Sequence, residues 1–222
     1  MAKEKVIIIG SSGHSKVIID IFEKRGNYDI IGLIDNSREI GESTLGYNII
    51  GNESVLPSYI GNNPGCKIFI AIGDNWIRGK VKQNLSNILP DLEFAFAIHP
   101  SAQIAKNVEI GQGTAIMAGA IINSSSQIGE CCIVNTKASL DHDNVLGNFA
   151  SLAPNATTGG NVNIGEFSAI GISATVKHGI TIGAHSIIGA GSLVLKNCDD
   201  YNVQFGVPAK KIRTRQIGEK YL

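Results

Sequence analysis

Residues 140–145 of the sequence read LDHDNV and place two carboxylates beside one imidazole. Asp141, His142 and Asp143 are consecutive, so a carboxylate can reach the ring. A neighbouring carboxylate raises the basicity of a histidine and fixes its orientation, which a general base working near neutral pH needs. An exposed histidine with solvated neighbours would give the same residues, so the surrounding pattern must separate the two interpretations.

The residues around this hexapeptide follow a six-residue period. Stepping by six from Ile98 to Val194 meets Ile, Val or Leu at every position except Thr158. The residue after the aliphatic one is often glycine, and the fourth residue after it is usually small. Each such repeat buries its apolar face only by stacking on another, which is typical of hexapeptide β-helices. We therefore predict seventeen stacked repeats without insertion.

Within this frame, three hexapeptides form one coil of triangular cross-section, because five glycines lie eighteen residues apart: Gly111, Gly129, Gly147, Gly165 and Gly183. The same spacing puts Gly160 one coil above His142, and His178 two coils above it. A glycine leaves the backbone uncovered, so the Gly160 amide could donate to a thioester oxygen and stabilise the oxyanion as an amine attacks. His142 and Gly160 are therefore candidate catalytic residues. His178 fits a surface position, and His99 and His185 fit structural ones.

The segment before the repeat predicts a small Rossmann-like α/β domain. Residues 5–9, 30–34 and 67–72 are short apolar strands, whereas residues 15–24 and a stretch ending at Leu89 have helical spacing. Short strands that alternate with helices indicate a parallel sheet.

Ligands of such a sheet bind outside the carboxyl ends of its strands, where residues 10–14, 35–36 and 73–75 lie. The amides of the first loop and the positive end of its helix suit a phosphate, and Asp35 can accept a hydrogen bond from a ribose or a base. The loop reads GxxG, however, and lacks the GxGxxG dinucleotide fingerprint. Glycines that only turn the chain are the alternative interpretation.

Charge and composition exclude several classes of partner. Nineteen basic side chains balance nineteen acidic ones among 222 residues, so no long-range positive field holds nucleic acid or an anionic membrane. The N-terminal apolar run is too short for a secretion signal or a membrane span, so we expect a cytoplasmic protein. The four cysteines have no CxxC spacing, which predicts reduced thiols and no metal site.

Nearly the whole sequence resembles the bacterial nucleotide-sugar acetyltransferases of the hexapeptide superfamily. The resemblance is carried by IIIGSSGHSKVI, LIDN, AIGDNWIR, IHPSA, VNTKASLDHDNVLG, TGGNVNIGE and GVPAK. The group includes N-acetyltransferases of UDP-linked bacillosamine precursors, of GDP-perosamine and of dTDP-linked 4-amino sugars, and also sialic acid O-acetyltransferases. We predict a nucleotide-sugar-binding Rossmann-like domain over residues 1–97, a parallel β-helix over 98–199 and a C-terminal tail over 200–222. The left hand of the β-helix is implied by the resemblance alone.

The resemblance also implies roles for single residues. His142 would be the general base, with Asp143 as its partner and Gly160 as the oxyanion amide, while Asn135 and Asp141 would lie near the sugar amine. Nucleotide contacts are implied for Ser12, Gly13, His14, Asp35, Asn36 and Gly73. Coenzyme A contacts are implied around Ser151, Gly160, Ile172 and Ala190. Ser151 departs from relatives that carry a second histidine there, touching the acetyl carbonyl. Members of the family are homotrimers with active sites between subunits.

We therefore expect transfer of an acetyl group from acetyl-CoA to the 4-amino group of a nucleotide-linked 4-amino-4,6-dideoxy sugar, for surface polysaccharide synthesis. UDP is the favoured nucleotide, ahead of GDP and dTDP. One alternative is O-acetylation of a sialic-acid-type sugar. A γ-type carbonic anhydrase would need three zinc-binding histidines between two subunits, for which His142, His178 and His185 are the only candidates. A non-catalytic β-helix scaffold would leave the Asp-His-Asp cluster without a purpose.

Overall fold

A five-stranded sheet forms the N-terminal domain in the computed structural model, which describes residues 3–220. Its strands are β1 (Glu4–Ile9), β2 (Tyr28–Ile34), β3 (Ser43–Thr44), β4 (Tyr47–Gly51) and β5 (Lys67–Ile70). The spatial order is β3-β4-β2-β1-β5, and every neighbouring pair is parallel except the β3–β4 hairpin. The three predicted strands are confirmed, and the hairpin is an addition that the apolar pattern did not predict.

The domain contains three helices, α1 (Gly13–Arg25), α2 (Leu56–Asn62) and α3 (Asn75–Ile88), and a turn of 3-10 helix at Glu53–Val55; α3 leads from β5 to the β-helix. Helix α1 ends at Gly26, whose φ of 72° suits glycine and whose N–H donates to the Phe22 carbonyl. Helix α3 begins after Asp74, whose carboxylate accepts from the Ile77 N–H at 2.9 Å. No helix within residues 3–220 is long and apolar enough to cross a membrane.

Seventeen strands of two residues each form the β-helix, which confirms the predicted repeat. They are β6 (Ala97–Ile98), β7 (Gln103–Ile104), β8 (Glu109–Ile110), β9 (Ala115–Ile116), β10 (Ile121–Ile122), β11 (Gln127–Ile128), β12 (Ile133–Val134), β13 (Ser139–Leu140), β14 (Val145–Leu146), β15 (Ser151–Leu152), β16 (Thr157–Thr158), β17 (Asn163–Ile164), β18 (Ala169–Ile170), β19 (Thr175–Val176), β20 (Thr181–Ile182), β21 (Ile187–Ile188) and β22 (Leu193–Val194).

Every third strand joins the same parallel sheet, so the β-helix has three faces. We call them the first sheet (β6, β9, β12, β15, β18, β21), the second sheet (β7, β10, β13, β16, β19, β22) and the third sheet (β8, β11, β14, β17, β20). The second residue of nearly every strand points inward, and the small residues of the frame complete a continuous core. Apolar side chains at a six-residue period can be buried only in this way.

Two further strands extend the first sheet beyond the repeat. Strand β23 (Asn202–Gly206) pairs in parallel with β21, and β24 (Ala209–Thr214) returns antiparallel to β23. Much of the segment predicted as a tail is therefore part of the sheet.

Each corner of the β-helix contains a residue with positive φ, at every sixth position from Asn107 to Gly191. Some are glycines, but others, including Asp143 and Phe149, carry side chains in the left-handed region. That conformation costs about 1–2 kcal/mol for a residue with a side chain. The hydrogen bonds and packing between coils must outweigh this repeated cost.

The glycines that lie eighteen residues apart are required for a different reason, which is the close approach of successive coils. A Cβ on Gly147 would lie 2.6 Å from the backbone nitrogen of Glu166, and one on Gly165 would lie 2.5 Å from that of Ala184. These glycines allow successive coils to approach closely, and they have no left-handed φ to explain them.

The N-terminal domain packs on the first sheet, where Ile18 and Phe22 of α1 share one core with Ala97, Ala115 and Ile133. A second contact is made by α3. Four rings stack along one corner of the β-helix, with centroid separations of 4.8, 4.8 and 5.2 Å in the order Phe149, Phe167, His185 and Tyr201. Trp76 of α3 meets the Phe167 ring edge-on at 5.4 Å. We call the four stacked rings of the β-helix, from Phe149 to Tyr201, the aromatic column.

The glycine column predicts that Gly147→Ala lowers the free energy of unfolding by about 1–3 kcal/mol, because the methyl group forces two coils apart. The control is Gly179→Asn. Gly179 has a φ of 68° and no atom within 4 Å of its would-be Cβ, and Asn155 and Asn161 adopt the same corner conformation. This control should lose less than about 1 kcal/mol. Urea unfolding of both variants gives the two values, and equal losses would refute the close-approach explanation.

Candidate active site

His142 lies at the corner between the second and third sheets, with its side chain 55% exposed. Its Nδ1 is 2.7 Å from Asp143 Oδ2. Asp141 is turned towards the backbone, because its Oδ1 accepts from the His142 N–H and from Asn123 Nδ2, both at 2.9 Å. Of the two flanking carboxylates, Asp143 therefore orients the ring, and Asp141 holds the turn.

The contact with Asp143 fixes the protonation of the ring. A carboxylate only accepts hydrogen bonds, so Nδ1 carries the proton and Nε2 has the free lone pair. The hydrogen bond with Asp143 raises the pKa of His142 above its ordinary value, and the charges of Asp141 and Asp143 add to the rise. This is the electrostatic arrangement of a base that accepts a proton at Nε2.

Gly160 lies directly against this imidazole. A Cβ on Gly160 would be 2.5 Å from Cε1 and 2.6 Å from Nε2 of His142. The neighbouring backbone is fixed, since the Asn161 N–H donates to the His142 carbonyl and the Gly179 N–H donates to the Gly160 carbonyl. The N–H of Gly160 has no acceptor within residues 3–220. An unpaired amide and a basic nitrogen thus lie side by side.

A buried polar pair beneath this corner was missed by the sequence analysis. Asn144, 1% exposed, donates from Nδ2 to Thr158 Oγ1 and to the Asp141 carbonyl, both at 2.8 Å. Its Oδ1 accepts from the Val162 N–H at 2.6 Å. The signal was present in the sequence, because Thr158 is the one non-aliphatic residue of the frame. These bonds hold the backbone that carries His142.

A cavity of about 420 Å³, here called the sheet cavity, lies between the N-terminal domain and the first sheet. Its lining includes His14 and Gly73 from the N-terminal domain, and Asn135, Ser151, Ile172 and Ala190 from the β-helix. The coenzyme A candidates other than Gly160 are thus brought together with two of the nucleotide candidates.

A second cavity of about 360 Å³, the loop cavity, lies at the carboxyl ends of the N-terminal strands. Its lining includes Ser12, Asp35, Asn36 and Gly73, together with Ser11, which was not a candidate. Gly13 is exposed and lines neither cavity.

The Asp35 carboxylate is held firmly in the loop cavity. It accepts from Ser11 Oγ at 2.5 Å and from the N–H and Oγ of Ser37 at 2.9 and 2.7 Å. Burial acts to raise the pKa of Asp35, but these hydrogen bonds outweigh it and leave the pKa below its usual value. Asp35 is therefore an ionised acceptor with a fixed orientation.

His14 belongs to the sheet cavity and not to the loop cavity with Asp35. Burial, with a smaller effect of the Arg78 charge, lowers the pKa of His14 to about 4. Its Nε2 is buried and has no hydrogen-bond partner within residues 3–220. A neutral imidazole with one unused nitrogen is suited to bind a polar group of a ligand.

Within one chain, these residues form two groups. His142, Asp143, Asp141 and Gly160 lie at the corner between the second and third sheets, whereas the sheet cavity, with Asn135, opens on the first sheet. The width of the second sheet separates them. The structure therefore does not bring Asn135 next to Asp141, nor Gly160 next to Ser151.

The two domains match two family models. Residues 5–85 match the PglD N-terminal domain, and residues 161–196 match the bacterial transferase hexapeptide (six repeats).

Similar solved structures cover almost the whole chain. PerB from Caulobacter crescentus, in complex with CoA and GDP-perosamine, is 37% identical with a TM-score of 0.87, covering 95% of this chain and 98% of that one. The acetyltransferase domain of PglB from Neisseria gonorrhoeae, in complex with acetyl coenzyme A, is 32% identical with a TM-score of 0.86, covering 95% and 100%. The chain belongs to the PglD-like hexapeptide acetyltransferases. This membership confirms the predicted fold class of an α/β domain followed by a parallel β-helix.

A curated relative of this family is the UDP-N-acetylbacillosamine N-acetyltransferase of Bacillus subtilis, which is 35% identical over 115 residues. That alignment covers 52% of this chain and 52% of the relative, so the match spans about half the length of the curated protein.

The histidines named for a zinc site do not come together within one chain. No group of three His, Cys, Asp or Glu side chains within residues 3–220 could hold a metal ion. His185 is stacked between Phe167 and Tyr201, and His178 is exposed.

Thr158→Val restores the aliphatic frame but removes the acceptor of the Asn144 amide. We expect it to lower the free energy of unfolding by about 1–2 kcal/mol, the cost of leaving a buried donor unpaired. Thr175→Val makes the same change on the exposed face of the same sheet and should stay within about 0.5 kcal/mol of the wild type. Denaturant unfolding measures both variants. A Thr158→Val variant as stable as the wild type would show that the Asn144–Thr158 pair does not stabilise the fold.

Proposed function

We propose that this chain transfers an acetyl group from acetyl-CoA to the 4-amino group of a nucleotide-linked 4-amino-4,6-dideoxy sugar, in the cytoplasm, as a step of surface polysaccharide synthesis. The observation that carries the proposal is that Gly73 lines both cavities. A nucleotide in the loop cavity would therefore direct its attached sugar towards the sheet cavity. The names of the relatives, which refer to amino sugars, support N-acetylation over O-acetylation.

Binding of the two substrates follows from the chemistry of each cavity. The ionised Asp35 and the amide of Asn36 suit the ribose and base of the nucleotide, and the start of α1 beside Ser12 suits a phosphate. The neutral His14 and Asn135 would contact the sugar. Ile172, Ala190 and Ser151 offer an apolar wall with one hydroxyl for the arm of acetyl-CoA.

His142 acts as the general base in this mechanism. As the sugar amine attacks the thioester carbonyl carbon, His142 Nε2 accepts a proton from the nitrogen, and Asp143 stabilises the imidazolium that forms. The Gly160 N–H donates to the oxyanion. When the carbonyl re-forms, the bond from carbon to sulfur breaks, and coenzyme A leaves as the thiolate or takes up the proton from His142.

Transfer is direct, without an acetylated enzyme. All four cysteines are free and buried. Burial raises the pKa of Cys131 to about 11 and that of Cys132 to about 12, so both thiols are protonated at neutral pH and are poor nucleophiles.

We further propose that the active site forms between subunits of a homotrimer. One chain separates the His142 corner from the sheet cavity by the width of a sheet, and a neighbouring chain can supply the missing half. Ile121 and Val145, 43% and 38% exposed, flank the His142 corner on its two sheets. Contiguous exposed apolar surface marks the contact sites between proteins, and these two side chains would lie in such a contact.

The reaction is tested with a panel of UDP-, GDP- and dTDP-linked 4-amino sugars, with the matching 4-hydroxy sugars as controls. We favour UDP because the curated relative acts, by its name, on a UDP-linked sugar. Transfer to hydroxy sugars alone would establish O-acetylation and overturn the proposal.

His142→Ala should lower kcat by roughly 10²–10⁴-fold, the range for loss of a general base, with little change in either KM. The base must be neutral, so wild-type turnover should fall as the pH drops through the raised pKa of His142. Asp143→Asn removes the main cause of that rise, so its acid limb should move to lower pH. Rate profiles against pH measure both effects. An unshifted limb would mean that another group titrates.

A mixing experiment tests the site between subunits. His142→Ala and Ala190→Trp, the second of which blocks the sheet cavity, should each give an inactive homotrimer. Random co-assembly should restore about a quarter of wild-type activity, because half the cavities and half the bases are intact and combine independently. Light scattering checks that both variants remain trimers. No recovery in co-assembled trimers would place both halves of the site in one chain.

A further inference from the structure

Asn75, the first residue of α3, belongs to the N-terminal domain, but its side-chain nitrogen contacts the β-helix. It is 1% exposed. Its Nδ2 lies 3.1 Å from Ser151 Oγ, 3.1 Å from the Ser168 carbonyl and 3.4 Å from the Phe167 carbonyl. Carbonyl oxygens only accept hydrogen bonds, so the nitrogen of the amide must face this side.

Arg78, one turn later and also 1% exposed, fixes the other side of the amide. Its guanidinium donates to Asn75 Oδ1 at 2.7 Å. The remaining N–H groups bind carbonyls of both domains, those of Ile72, Gly73, Cys131 and Phe149. A guanidinium can only donate, so the Asn75 oxygen must face Arg78. Both neighbours of the amide therefore demand the same orientation.

This orientation determines what the Ser151 hydroxyl can do. Ser151 Oγ accepts from Asn75, and its own proton has no acceptor within residues 3–220. Ser151 lines the sheet cavity and is half-buried. Its O–H is therefore free to donate to a ligand in that cavity.

We propose that Asn75 and Arg78 are positioning residues that make Ser151 a hydrogen-bond donor to a carbonyl oxygen of the acetyl donor. The identity of the ligand rests on the proposed function, whereas the direction of the hydrogen bonds rests on the contacts alone. The N-terminal domain thereby shapes the binding of acetyl-CoA as well as that of the nucleotide sugar. If Asn75 had only a structural role, its substitution would change the stability of the protein but not the kcat/KM for acetyl-CoA.

The kinetic test uses Ser151→Ala, Asn75→Asp and the double variant. Ser151→Ala keeps the other contacts of Asn75 and should lower kcat/KM for acetyl-CoA by about 2- to 12-fold, the effect of one neutral hydrogen bond. The KM for the nucleotide sugar should stay within about twofold. Asn75→Asp is nearly isosteric, but a carboxylate only accepts, so the Ser151 O–H should turn towards it and leave the cavity.

Asn75→Asp should therefore lower kcat/KM for acetyl-CoA at least as much as Ser151→Ala, and the double variant should be no worse than Asn75→Asp. Melting temperatures show whether Asn75→Asp, which loses its bond to Ser168, still folds. If it does not, Asn75→Ala replaces it, because it removes the amide that binds Ser151 Oγ and should also lower kcat/KM for acetyl-CoA. Wild-type kcat/KM in Ser151→Ala, or additive losses in the double variant, would overturn the proposal.

Two readouts do not depend on turnover. In ¹⁵N spectra of the wild-type protein and Ser151→Ala, one Nδ2 proton of Asn75 should shift, and the proton bonded to the Ser168 carbonyl should not. Calorimetry should show acetyl-CoA binding weakened about 2- to 12-fold in Ser151→Ala. A wild-type protein that binds acetyl-CoA but acetylates no sugar would contradict the proposed function only. Unchanged Asn75 resonances, or a wild-type protein that binds no acetyl-CoA, would contradict this inference.

Discussion

The backbone hydrogen bonds between successive coils set the position of almost every other group in this protein. Each coil contains eighteen residues and pairs with the next in parallel, at a strand spacing of about 4.8 Å. Since no residue is inserted between Ile98 and Val194, residues eighteen apart lie one above the other. His142 and Gly160 meet for this reason, and the Asn144 side chain reaches the Val162 N–H for the same reason. A single inserted residue between them would shift one group past the other.

This regularity explains how much of the fold could be predicted from the sequence. The period, the stacked glycines and the contact of His142 with Gly160 follow from counting residues. The β3–β4 hairpin and β23–β24 could not be predicted, because each is a pair of short strands without a repeat. Asn75 and Arg78 were also missed as functional candidates. The role proposed for these two residues depends on the backbone carbonyls that surround their side chains. Several of those carbonyls belong to the β-helix and reach Asn75 and Arg78 only because the two domains pack together.

The candidate site was predictable in part, and the assigned roles of its residues stay predictions. Sequence reasoning grouped His14 with Asp35, since both follow strands of one sheet, but the first turn of α1 carries His14 towards the β-helix. The two histidines have opposite environments as a result. The hydrogen bond with Asp143 and the nearby carboxylate charges raise the pKa of His142, whereas burial lowers that of His14 and keeps it neutral. A contact between the domains, invisible to periodicity, produces this difference.

The aromatic column changes how the β-helix must come apart. An array of stacked repeats is nearly one-dimensional, because each repeat contacts only its neighbours. Its end coils can therefore fray one by one, and each loss breaks only one interface between coils. Here four rings from Phe149 to Tyr201 form a continuous stack through consecutive coils, and Trp76 ties that stack to α3. Losing the last coil therefore exposes a face of the stack, and losing the coil that carries Phe167 also removes the edge-on contact of the stack with a helix more than seventy residues earlier in the chain. The N-terminal domain thus contacts both ends of the β-helix, through α1 at Ala97 and Ala115 and through α3 at the aromatic column, so the two domains should melt as one cooperative unit.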